Sequence, residues 1–316
     1  MEAAATTRKR VVLYLAPGLG HLVSMAELDK ILAAHGLAVT IVITKPSYDT
    51  GATGPFLADV TAVNPSISFH CLPRVELMPV DSVHPEVVTF KAARASSSQL
   101  RDFLAGASLA ILVVDFFCSV AVDVATELGI PAYYFFTCCA ETLAIFLYLP
   151  VLHAWSAASF RDMGEELMHV PGIPSFPATQ CFKPLMDHDD AAYRAFLRVS
   201  PYLCRSQSII VNTFRSLESC AVDAISVGLC TPPGLPTPHV YFIGPLIKSK
   251  ETRELAIGLE ASGKRFLWVV RSPPRDIDGP AKKLDKLPDP DLDALLPEGF
   301  LERTKGTSLV VKSWAL

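Results

Sequence analysis

A chain of 316 residues, half of them hydrophobic and 19% charged, carries enough apolar material for about two domains and is not a disordered protein. Its formal net charge of -4 provides no basic footprint for a phosphate backbone, so nucleic acid is not an expected partner. The eight cysteines are scattered without a Cys-x-x-Cys pair and read as reduced thiols of a cytoplasmic protein.

The basic run Arg8-Lys9-Arg10 ahead of an apolar stretch suggests a signal peptide. Pro17 and Gly18 break that stretch and no cleavage site follows, so no targeting segment is expected. From residue 10 the order is strand (RVVLYLA, 10–16), turn (PGLGH, 17–21), helix (22–36, with Gly36 as its stop) and strand (AVTIVITK, 38–45), a βαβ unit that implies parallel strands. A polar, proline-containing stretch runs to about residue 90. A helix (89–106), a buried strand (108–116), a helix (119–129) and a strand (131–137) follow.

The apolar segment 131–155 contains Glu141 and Pro150, too interrupted for a membrane span. After a strand at 208–213 and a helix at 216–229, residues 1–230 read as one doubly wound α/β domain. Residues 231–250, dense in proline and glycine, read as an interdomain connector. Residues 251–316 supply one helix, the strand RFLWVVR (265–271), a polar loop, a short helical piece and the strand TSLVVKSW (307–314). Two strands and one full helix cannot cover both faces of a sheet, so this region reads as part of a larger domain. Its exposed strands are candidates for pairing with another chain.

Ligands of parallel sheets sit beyond the carboxyl ends of the strands, which puts the 17–21 turn in a functional location. Gly18 and Gly20 make a Gly-x-Gly, but a dinucleotide fingerprint needs a third glycine where Val23 stands, and the next strand ends at Lys45 rather than at an acid. A nicotinamide site is therefore poorly supported. His21 is the better candidate, because an imidazole titrates near neutrality and accepts a hydroxyl proton when a carboxylate steadies its cation.

Asp115, at the carboxyl end of a buried strand, is a candidate for that carboxylate, since a buried acid needs a partner or a site. The plain structural alternative makes both residues helix caps. Phe116, Phe117 and the aromatics of 133–136 are candidates for an apolar pocket beside Asp115, or for ordinary core. The acidic cluster around His188 (MDHDD, 186–190) fits a solvated turn better than a metal site.

The segments LAPGLGHLVSMAEL (15–28), VVDFFCSVAVDVATELGIPAYYFFT (113–137), SIIVNTFRSLES (208–219), VYFIGPLI (240–247), GLEASGKRFLWVVR (258–271) and LLPEGFLERTKG (295–306) together resemble plant UDP-glycosyltransferases of secondary metabolism. The resemblance implies two Rossmann-like domains facing across a cleft, the first binding a small acceptor and the second, here partial, binding a UDP-sugar. It implies that His21 deprotonates the acceptor hydroxyl with Asp115 as its partner, and that the donor side includes Thr137, Trp314 and Ala315. Gly18, Phe116 and Phe117 fall on the acceptor side.

The implied reaction is an inverting transfer, glucose being the expected sugar, to a flavonoid or other phenolic hydroxyl. The UDP-sugar is a co-substrate, and neither a metal nor a further cofactor takes part. Two departures from the pattern bear on activity. Lys250 runs directly into Glu251, where the family has a variable loop and the first strand of the donor domain, and Leu316 replaces the proline expected after Trp314-Ala315. The resemblance thus leads to an impaired enzyme, with a non-catalytic small-molecule or partner binder as the alternative. Acceptor and sugar identity are not written in these segments.

Overall fold

The computed structural model describes residues 10–16, 18–45, 53–63, 67–77, 84–107, 111–244, 246, 249–263, 265–270 and 291–312. In chain order these form β1 (Arg10–Leu15), α1 (Leu19–Ala34), β2 (Ala38–Lys45), α2 (Thr53–Val63), β3 (Ser68–Arg74), α3 (Glu86–Ala95), α4 (Ser97–Ala105), β4 (Ile111–Asp115), α5 (Ala121–Glu127), β5 (Ala132–Phe136) and α6 (Ala140–Trp155). Next come a short hairpin of β6 (Leu167–Met168) and β7 (Phe176–Pro177), then α7 (Ala191–Leu197), α8 (Val199–Arg205), β8 (Ser208–Val211), α9 (Ser219–Ser226) and β9 (His239–Phe242). The last elements are α10 (Ser249–Ser262), β10 (Phe266–Val270), α11 (Leu292–Leu295), α12 (Phe300–Thr304) and β11 (Ser308–Lys312).

Seven strands pair in the order β3-β2-β1-β4-β5-β8-β9, every pair parallel. Side chains alternate across such a sheet, and each face needs its own cover. Val12, Tyr14, Val114, Tyr134 and Phe136 point into one core, with α6 and α9, while Leu13, Leu15, Ile41, Val113 and Phe135 point into a second core under α1. This two-sided burial explains why the central strands are near-continuous apolar runs. The chain order places β1 beside both β2 and β4, so the connections diverge between β1 and β4, the switch point at which doubly wound sheets open a crevice.

Three elements differ from the sequence expectation. Strand β9 lies within 231–250 and pairs with β8 from Ser208↔His239 to Val211↔Phe242, so the sheet extends into the stretch read as a connector. Four strand residues between Pro238 and Gly244 give too short a pattern to stand out from the surrounding turn residues. Helix α2 and strand β3 occupy part of the stretch read as irregular; β3 is an edge strand, where Pro73 is tolerated because one side needs no ladder donor. The helix expected at 89–106 is two helices meeting at Ser96.

Strands β10 and β11 form a separate two-stranded parallel sheet, from Phe266↔Ser308 to Val270↔Lys312. Trp268, Val270, Ala256, Leu292 and Phe300 build its small core, and Arg303 clasps Glu260 of α10 through two hydrogen bonds of 2.5 and 3.0 Å. Leu309 on β11 is 60% exposed. Among the described residues no helix is long and apolar enough to cross a membrane.

Candidate active site

Strands β1 and β4 run in register from Val11↔Ile111 to Tyr14↔Val114, so Asp115 ends its strand level with Leu15. The chain leaves β1 through Gly18, whose extended backbone (φ -169°) starts α1 and whose carbonyl accepts the Leu22 amide at 2.9 Å. His21 thereby projects from the first turn of α1 over the end of β4. Its Nδ1 lies 2.6 Å from Asp115 Oδ1. The aspartate is fully buried, and the histidine side chain keeps 28% of its surface. Asp115 Oδ2 is buried without a protein partner among the described residues, so the carboxylate's side-chain hydrogen bond goes to the imidazole.

Asp115 does stand at the start of a short 3-10 turn (Phe116–Cys118), but its side chain caps no amide there. The helix-cap alternative for this residue is set aside by that geometry. Burial pulls the His21 pKa down, and the charge and hydrogen bond of Asp115, with a contribution from Cys138, outweigh it and raise the value above the ordinary imidazole range. With Nδ1–H donated to Asp115, Nε2 is the nitrogen available to accept a proton.

Thr137 follows β5, the neighbour of β4, and its Oγ1 is 3.3 Å from His21 Nδ1. Phe117 meets the imidazole edge-on, ring centres 5.3 Å apart at 63°. Phe116 behaves differently. It is buried among Phe136, Phe146 and Phe196, so it backs Phe117 from the core instead of facing His21. Successive residues of a tight turn point in different directions, which apolar character alone does not reveal. A Cβ on Gly18 would stand 3.4 Å from His21 Cδ2, so this position borders the ring. Trp314 and Ala315 lie outside the described residues.

The acidic cluster folds as a turn: Asp187 accepts the Asp189 amide at 2.9 Å and Asp190 caps α7 through the Ala192 amide at 2.6 Å. Among the described residues no group of three or more potential metal ligands occurs.

Two residues that the sequence reading missed brace this edge. The Glu218 carboxylate accepts the amides of Ala140 and Glu141 at 2.9 and 3.0 Å and the Thr213 hydroxyl at 2.5 Å, capping α6 just after Thr137. Asn212 donates to the Thr137 carbonyl at 3.4 Å and accepts the Leu246 amide at 2.6 Å. All three bonds to the 137–141 segment span more than 70 residues, beyond the reach of local pattern.

No protein-family model matches the chain. Individual relatives do. UDP-glycosyltransferase 88F3 of Pyrus communis is 35% identical over 357 aligned positions, covering 96% of this chain and 74% of the relative. Phloretin 2'-O-glucosyltransferase of Malus domestica is 35% identical over 359, covering 96% and 74%. The chain belongs to the plant UDP-glycosyltransferases. The fold agrees: Phytolacca americana UGT2 complexed with UDP-2fluoro-glucose and pterostilbene superposes with a TM-score of 0.69 at 29% identity, covering 100% of this chain and 72% of that one. A UDP-glucosyltransferase from Polygonum tinctorium capable of glucosylating indoxyl, in complex with 3,4-dichloroaniline, gives 0.68 at 29% identity, covering 98% and 72%.

This glycosyltransferase chain is shorter than its own alignment, since 357 aligned positions exceed its 316 residues. The relatives therefore carry internal segments that have no counterpart here.

Proposed function

We propose that this glycosyltransferase moves a hexose, glucose being the expected donor sugar, from a UDP-sugar to the hydroxyl of a small phenolic acceptor, with His21 as the base. The observation that carries the reading is the 2.6 Å pairing of His21 with the fully buried Asp115 at the switch point of the sheet. As the acceptor oxygen attacks the anomeric carbon, its proton passes to His21 Nε2, the new carbon–oxygen bond forms and the bond to UDP breaks. The carbon inverts because attack and departure occur on opposite faces.

Asp115 holds the imidazole in the tautomer that exposes Nε2 and then faces the imidazolium, a role that needs its charge and fixed position. Phe117 offers an apolar edge to the acceptor ring, and Thr137 stands on the side from which the sugar approaches. The named activities of the phloretin and anthocyanidin glucosyltransferase relatives support a phenolic acceptor. No metal or further cofactor enters this mechanism.

The main sheet forms the acceptor half in this reading, and the β10–β11 sheet belongs to the donor half. We further infer that donor binding is weak, because the chain lacks internal segments that its relatives have and Lys250 leads straight into Glu251. Losing one preorganised transition-state contact costs about 3–4 kcal/mol, and a missing strand removes several groups together.

Incubation with UDP-glucose and a phenolic panel including phloretin, followed by mass spectrometry, tests both parts. Slow glucoside formation that disappears in His21→Ala is the expected result. Product formation indifferent to His21→Ala overturns the assignment of the base, and turnover equal to that of a full-length phloretin glucosyltransferase overturns the weakened donor side.

A further inference from the structure

We propose that a cavity between α3, α7 and α8 binds the phosphate group of a small organic phosphate monoester. The cavity has a volume of about 170 Å³. From α3 it takes Val87, Phe90, Lys91 and Arg94, and from α7 and its C-cap it takes Ala191, Arg194, Ala195 and Arg198. Each set is spaced i, i+3, i+4, i+7, so each is one stripe of its helix, and Tyr202 of α8 continues the second. The two helices pack together, Phe90 meeting Phe196 edge-on with ring centres 5.3 Å apart at 87°.

Stripes that face each other between packed helices are ordinarily apolar. Here each carries two cations, and alanine at 191 and 195 leaves between them space that a larger side chain would fill. The four cations are exposed and no acidic residue lines the cavity, in a chain whose formal net charge is -4. Among the described residues Lys91, Arg94 and Arg198 form no ion pair, and Arg194 reaches only Asp189, at 3.1 Å, whose side chain is 92% exposed. Asp123, the acid beside Tyr202, is already engaged: it accepts the Tyr202 hydroxyl at 2.7 Å and pairs with Arg205 at 3.1 Å. Like charges at i, i+4 on a helix repel, as Arg194 and Arg198 do. The helix dipole favours a cation at the end of α3 and of α7 taken singly, but it gives no reason for both to border one hole. A bound anion does.

The lining sets the chemistry of that anion. Guanidinium forks hold phosphate oxygens two at a time, and a lysine adds a point charge. Four positive charges suit a dianion better than a single carboxylate. Ser119, buried, supplies a hydroxyl, while Val87, Phe90 and Val120 give the organic part an apolar wall. The volume is below the roughly 300 Å³ at which pockets for drug-sized ligands begin, so the ester is small. His21 does not line this cavity, and the link to it runs through two rings: Phe90 lies 5.0 Å from Phe117, which meets the imidazole.

Isothermal titration calorimetry of the purified chain with butyl phosphate, inorganic phosphate and butanol tests this without any turnover. Butyl phosphate is expected to saturate one site and butanol none. Arg94→Gln and Arg198→Gln, both at exposed positions, should each weaken butyl phosphate about tenfold, the scale of one hydrogen bond to a charged group. Arg215→Gln, at an exposed arginine outside the cavity, should leave the affinity unchanged. Saturating butyl phosphate should also raise the Tm of the wild type, and not that of the variant carrying both cavity substitutions.

Absence of saturable binding overturns the proposal. So does an affinity that neither Arg94→Gln nor Arg198→Gln changes, which would put the ester elsewhere on the chain, the donor half included. Inorganic phosphate binding as tightly as butyl phosphate overturns the ester and makes the free ion the ligand.

Discussion

Asp115→Asn keeps the size and a hydrogen-bonding oxygen of the side chain while deleting its charge. In the proposed mechanism the imidazolium formed at His21 during transfer faces a fully buried carboxylate 2.6 Å away. A unit charge pair near 4 Å with an effective dielectric of about 20 is worth about 4 kcal/mol, and a neutral hydrogen bond retained by asparagine returns part of that. A net loss of about 2–4 kcal/mol at the transition state lowers kcat/KM by roughly 30- to 1000-fold.

The pH dependence carries a second, independent signature. In the proposed mechanism the base is neutral imidazole, so wild-type kcat/KM should rise with pH through the His21 pKa, which Asp115 holds above its ordinary value. Asparagine leaves the burial and removes the charge, so the rising limb moves to lower pH while its plateau falls. The stability linkage has matching sign. A raised histidine pKa contributes stability that is full below about pH 6.5 and is lost as pH rises through the folded value. This acid-side gain should shrink in the variant.

NMR titration of the His21 ring reports the shift directly and needs no catalysis, and UDP release reports the rate. An unchanged His21 titration in Asp115→Asn would refute the coupling, and an unchanged plateau would refute its use in catalysis.

Asp29, buried on α1, is pushed up to about 6 by burial, opposed by Lys30; a raised acid loses stability as pH climbs to that value, so Asp29→Asn should stabilise the fold by about 1–3 kcal/mol at pH 7 and by nearly nothing at pH 4, read from urea melts. Glu218→Ala strands the two leading amides of α6 and the Thr213 hydroxyl, an expected loss of about 2–4 kcal/mol, whereas Glu218→Gln keeps one acceptor oxygen and should lose less; equal destabilisation by the two would argue against the cap. Gly244→Ala would place a Cβ 2.3 Å from the Asn212 carbonyl carbon and 2.4 Å from its Oδ1, so β9 must shift, with an expected cost of roughly 3 kcal/mol or more and a correspondingly lower Tm.

What could be read in advance follows from how far each signal travels along the chain. Strands β1, β2, β4 and β5 are buried on both faces, so their apolar runs and the helices between them stand out. The same architecture made Asp115 conspicuous, because a charge at the end of such a run has to be answered by a partner. Edge strand β3 buries only Leu72 among its residues and carries Pro73, and β9 is four residues long between turn formers; neither leaves a pattern long enough to read. Phe116 and Phe117 are the same residue type at neighbouring positions, and their division between core and site depends on the direction each takes from a tight turn.

The bracing partners expose a further limit and also the logic of the edge. His21 comes from the segment after β1, Asp115 from the end of β4, Thr137 from the segment after β5, and Asn212 and Glu218 from the segment after β8. Four strands lie side by side in the sheet order β1-β4-β5-β8, so residues separated by up to 197 positions line one carboxyl edge. Each polar group is fixed by the next: Asp115 aims His21, Asn212 and Glu218 fix the backbone on either side of Cys138, and that backbone sets Thr137 against the imidazole. A site held this way loses precision when any brace is removed, because groups anchored on rigid elements transmit a displacement to their neighbours. Glu218→Ala should therefore perturb the His21 ring resonance even though the two side chains share no bond, whereas a helix cap isolated from the site would leave that resonance unmoved.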